Sequence, residues 1–68
     1  MQNSFGTRIK ELRESKNISQ ITLSKALNVS RQTISAWEKG LQETDFDMLI
    51  NIATYFCVPT DYLLGLEE

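Results

Sequence analysis

Histidine is absent from this 68-residue chain, and cysteine occurs once, at Cys57. No internal disulfide can form, and the usual Cys/His zinc sets are missing, so neither a metal nor a cofactor is expected. With no imidazole and a single thiol, the common residue types of nucleophilic and acid–base catalysis are mostly lacking, and an enzyme is not expected. Cys57 follows "ATYF" and is expected to pack as a small hydrophobe at a buried helix end. No apolar run reaches the roughly 20 residues that span a bilayer. The opening "MQNSFGTRIK" lacks the apolar centre of a signal peptide. The expectation is a cytoplasmic protein without membrane contact. Strand signals are weak, because no alternating β-branched run exceeds a few residues.

Basic residues are absent after residue 40. Residues 1–40 hold all seven (Arg8, Lys10, Arg13, Lys16, Lys25, Arg31, Lys39) against three acids, a net of +4. Residues 41–68 hold six acids and no base, a net of −6, so the overall charge of −2 conceals two unlike halves. One half is suited to face phosphates while the other faces away.

Apolar residues recur at helical spacing instead. Phe5, Ile9 and Leu12 share one face of a first helix, from Phe5 to about Lys16, with Asn17 as its stop. Ser19 is an N-cap for a second helix over Gln20–Leu27, with Leu23, Ala26 and Leu27 inward; Thr22 stands where a capping-box acid is usual. Asn28 suits a left-handed turn, Val29 plugs it, and Ser30 caps a third helix running from Arg31 to about Lys39, ended by Gly40. Asp45 caps a fourth helix on which Phe46, Leu49, Ile50, Ala53 and Phe56 form a stripe widened by Met48 and Ile52. A fifth spans about Thr60–Leu64 and ends at Gly65. The sum is an all-α chain of 68 residues forming one domain.

The second and third helices fit a helix-turn-helix at about 20–39. Counting Gln20 as position one, positions four, eight, ten, fifteen and eighteen are Leu23, Leu27, Val29, Ile34 and Trp37, all apolar. Position five must be small where the helices approach, and is Ser24; position nine favours positive φ, and is Asn28. On the outer face of the third helix, Arg31 can pair bidentately with guanine or hold a phosphate, and Gln32 can pair with adenine. Thr33 and Ala36 can touch thymine methyls, with Ser35 beside them. Ser30, Lys16 and Lys39 are candidate phosphate contacts.

With "RIKELRESKNISQ", "LSKALNVSRQTISAWEKG", "DMLINIATYF" and "VPTDYLLG", the chain resembles the Cro/C1-type, or XRE-like, helix-turn-helix regulators. The resemblance implies a five-helix, lambda-repressor-like fold. It also implies a sequence-specific regulator of transcription, commonly a repressor, that binds double-stranded operator DNA as a homodimer. Gln20 matches the position that holds a phosphate at the start of the second helix. Arg13 and Glu38 match a structural ion pair tying the first helix to the third. Phe46, Ile50, Phe56, Tyr62, Leu63 and Leu66 are candidates for a dimer face, Tyr62 and Leu66 being the ones expected to be exposed. Ser24 stands where the family commonly has alanine, Asn28 and Cys57 where it has glycine, and Thr44 where it has proline. Glu43 and Asp45 make acidic a loop that is often basic in relatives. That acidic half motivates an alternative, an antitoxin-like module that binds a protein partner.

Overall fold

The computed structural model describes residues 2–66 and folds them into α1 (Gln2–Ser15), α2 (Gln20–Leu27), α3 (Arg31–Glu38), α4 (Phe46–Phe56) and α5 (Thr60–Leu64). Among the described residues there is no strand, and no helix is long and apolar enough to cross a membrane.

The starts of α2, α3 and α4 are locally specified. Ser19, Ser30 and Asp45 accept from the free amides of Thr22, Thr33 and Met48 at 3.0, 3.1 and 2.8 Å, which satisfies donors that have no partner inside the helix. At the first two caps a threonine replaces the capping-box acid. Ser19 Oγ donates to Thr22 Oγ1 at 3.0 Å, and the Ser30 and Thr33 hydroxyls are 2.9 Å apart.

Each helix end turns through the left-handed region. Asn17 and Asn28 adopt φ 59° and Cys57 φ 58°, alongside Gly40 at 75° and Gly65 at 77°. Asparagine tolerates this conformation; cysteine pays a steric cost of about 1 kcal/mol. Cys57 is exposed, so glycine there would lose little packing. The relief is offset in part by glycine's greater unfolded-state entropy, about 0.5–1 kcal/mol. Cys57→Gly is therefore expected to leave Tm unchanged or raise it by at most about 4 °C in a thermal melt; a lower Tm would show that the thiol packs usefully.

The core is drawn from all five helices. Phe5, Ile9, Leu23, Ile34, Trp37, Ile52 and Leu63 are essentially inaccessible. The Phe5 ring meets Trp37 edge-on at 5.9 Å. α1 packs against α3 and α5, α2 against α3, and α4 against α5. Gly6 makes the first of these contacts possible, because a Cβ there would lie 2.1 Å from the Trp37 carbonyl oxygen.

Several expectations need correction. α1 starts at Gln2, ahead of Phe5, because its first turn lacks the apolar spacing that marks a helix in sequence. Ala26 is exposed, since α2 buries Leu23, Ser24 and Leu27. That arc centres near Leu27 and leaves Ala26 about 100° away. Val29 is half-buried rather than enclosed, and Cys57 is exposed. On α4 the buried residues are Leu49, Ile52, Ala53 and Phe56. Phe46, at the first helical position, is 72% exposed and Ile50, on the flank, 43%.

Candidate nucleic-acid interface

Packing between α2 and α3 decides which side of α3 is free. Leu23, Leu27, Ile34 and Trp37 are buried, and Val29 packs against them. Ser24 is 6% exposed yet satisfied, because its hydroxyl donates to the Ile21 carbonyl at 2.7 Å. The turn closes through the Val29 amide on the Ser24 carbonyl at 2.9 Å. Two helices fixed in this way leave the opposite side of α3 to solvent.

Arg31 and Gln32 are exposed on that side, while Thr33, Ser35 and Ala36 are half-buried. Arg31, Gln32, Ser35, Ala36 and Lys39 line an open concavity of about 210 Å³, together with Leu41. Thr33 lies outside it, its hydroxyl bonded to that of Ser30. Sequence reasoning missed Leu41. The signal was an apolar residue directly after a helix-ending glycine. Gly40 donates to the Trp37 carbonyl at 3.1 Å and Leu41 to that of Ala36 at 2.9 Å, a Schellman closure. That closure holds Leu41 beside Ala36 while its side chain stays 78% exposed.

A second, polar cleft of about 230 Å³ adjoins the first and is lined by Lys10, Arg13, Gln20, Ser35, Glu38 and Lys39. Arg13 donates Nε to Glu38 Oε2 at 2.7 Å and Nη2 to Oε1 at 3.1 Å, and Nη1 reaches the Ile18 carbonyl at 3.0 Å. Gln20 Nε2 adds a donor to Glu38 Oε1 at 3.1 Å. Both charged side chains are largely buried, 13% and 5% exposed. The bidentate fork compensates charges that would be costly alone. The hydrogen bond that Arg13 donates to Glu38 raises the Arg13 pKa above its ordinary value, against a smaller opposing effect of burial. A raised pKa stabilises the fold fully below the ordinary arginine value and loses that effect only as pH climbs through the folded one. Arg13 is therefore charged, and its contribution flat, throughout the neutral range.

The other candidates are dispersed. Ser30 is exposed at the start of α3, and Lys16 is exposed beyond the end of α1 and lines neither concavity. Tyr62 is half-buried, with the Arg8 guanidinium 4.3 Å from its ring centroid. Leu66 is 73% exposed.

Comparison with known proteins places this geometry. The family model described as Helix-turn-helix matches residues 9–63. The HTH-type transcriptional regulator ImmR of Bacillus subtilis is 34% identical over 65 residues, 96% of this chain. This chain spans 51% of ImmR. Among solved structures, the P22 c2 repressor in complex with a synthetic operator has a TM-score of 0.86 at 32% identity, covering 93% of this chain and 96% of that one. The restriction-modification controller protein C.AhdI from Aeromonas hydrophila has a TM-score of 0.80 at 28% identity, covering 90% and 92%. The chain belongs to the Cro/C1-type (XRE-like) helix-turn-helix family of transcriptional regulators.

Proposed function

We propose that this chain binds double-stranded DNA sequence-specifically by laying α3 in the major groove, and that it represses transcription by occupying an operator as a homodimer. The observation that carries the reading is the concave outer face of α3. Arg31 and Gln32, whose forks suit guanine and adenine edges, stand exposed there beside Lys39. Ala36 and Leu41 give the same concavity an apolar wall suited to a thymine methyl. Thr33 and Ser35 are the further base-contact candidates. Gln20, Ser30, Lys16 and Lys39 are the phosphate candidates, Gln20 being aided by unpaired amides at the α2 N-terminus.

Two copies would present two recognition helices, and half-sites about 34 Å apart follow from twofold docking. Leu66 and Phe46 are exposed large apolar groups available for such a contact, with Tyr62 at the margin. A protein-binding module is the second reading. It is favoured by the exposed Phe46 between exposed Asp45 and Asp47, a surface that repels phosphate.

Selection from random duplexes, followed by a salt titration on the recovered site, separates the two. DNA binding by the proposed face is expected to yield one twofold motif, with log affinity falling by about 0.9 per contacted phosphate for each decade of salt. Recovery of no motif, or affinity indifferent to salt, would favour the protein-binding reading.

A further inference from the structure

We propose that Glu38, beyond its ion pair with Arg13, is a positioning residue for one DNA phosphate: it sets the orientation of the Gln20 amide. The inference rests on the DNA-binding reading above.

The chemistry leaves one arrangement. An ionised carboxylate only accepts hydrogen bonds, whereas a side-chain amide has one accepting and one donating end. With Gln20 3.1 Å from Glu38 Oε1, the amide must turn its NH2 group toward the carboxylate. The opposite orientation would set two acceptors face to face. One N–H is used by Glu38, and the second remains free on a half-buried side chain at the first residue of α2. Glu38 itself cannot swing away. Both its oxygens are held by Arg13, at 2.7 and 3.1 Å, and it is 5% exposed.

Arg13 has a second effect in this arrangement. A bare carboxylate beside a phosphate site would repel the phosphate, and the guanidinium neutralises it in place. Lys10 and Lys39 line the same polar cleft and add positive charge around its mouth. Carboxylate, arginine and glutamine thus act in series, the first two holding the third as a donor that is already oriented before DNA arrives.

The test uses the duplex that the wild-type protein recovers from a random pool, remade with one neutral methylphosphonate at each backbone position in turn. Wild type, Gln20→Ala, Glu38→Gln and the double variant are compared by dissociation constant, with thermal melts alongside. In the wild type, the phosphate that Gln20 holds in each half-site is expected to be sensitive by about tenfold or more, the effect of a hydrogen bond to a charged group, beside separate sensitive positions for the other phosphate contacts. Gln20→Ala and Glu38→Gln should each flatten that same position and leave the others unchanged. The double variant should be no flatter than either single. Glu38→Gln preserves shape but not charge, so its amide no longer dictates which way Gln20 turns. A Glu38→Gln profile identical to wild type, or one weakened evenly at all positions in step with a lowered Tm, would overturn the proposal while leaving DNA binding intact. Absence of any sensitive position in the wild type would overturn the DNA-binding reading as well.

Discussion

Gly6→Ala is expected to lower the unfolding free energy by about 3 kcal/mol, the upper range for overpacking. The added methyl carbon would sit 2.1 Å from the Trp37 carbonyl oxygen and 3.1 Å from that of Glu38. Both obstacles are backbone, so no side-chain rotation makes room. Either α1 moves away from α3, or the end of α3 shifts. The first parts Phe5 from Trp37 and stretches the Arg13–Glu38 pair; the second disturbs the helix that carries Arg31 and Gln32. Stability for a chain of this size is roughly 3–10 kcal/mol, so the change removes a large share of it. A fall in Tm of more than about 10 °C in a circular dichroism melt is the expected reading. Alanine is otherwise the better helix former by about 1 kcal/mol, and an unchanged or higher Tm would mean that α1 and α3 do not approach so closely.

Much of this architecture is legible in the sequence because its signals are local. Ser19, Ser30 and Asp45 announce helix starts through hydroxyl or carboxylate chemistry that operates within three residues. Asn28, Gly40 and Gly65 announce helix ends by tolerating positive φ. Leu23, Leu27, Ile34 and Trp37 announce the buried side of the helix-turn-helix by spacing alone. The polar outer side of α3 is legible as its complement.

What escapes notice depends on tertiary register. Periodicity admits Ala26 to the inner face of α2; the placement of α3 against Ser24, where the motif spacing asks for a small residue, leaves Ala26 exposed. Gly6 looks like a weak point in a helix until the proximity of Trp37 is seen. Leu41 and the Gln20–Glu38 bond are likewise invisible along the chain. The first is set by a turn closing back onto Ala36, and the second by side chains 18 residues apart meeting across two helices. Phe46 fits the α4 stripe by its angle but stands at the helix start, where it is left 72% exposed.

The second large effect concerns Gln32, exposed on α3 beside Arg31. Truncation to alanine removes no buried contact, so the fold should keep its Tm. It removes a donor–acceptor pair suited to one adenine edge, worth about 1–3 kcal/mol of discrimination, or roughly 5- to 150-fold. The loss should fall on a single base position in each half-site, with the phosphate contacts and the salt slope unchanged.

Parallel selection from random duplexes by the wild-type protein and by Gln32→Ala asks most directly whether the outer face of α3 reads bases. The prediction is a shared twofold motif in which the variant has lost its preference at one position per half-site and at no other. Two motifs that coincide at every position would contradict a base-reading Gln32, and a wild-type pool that never converges would contradict the recognition face altogether.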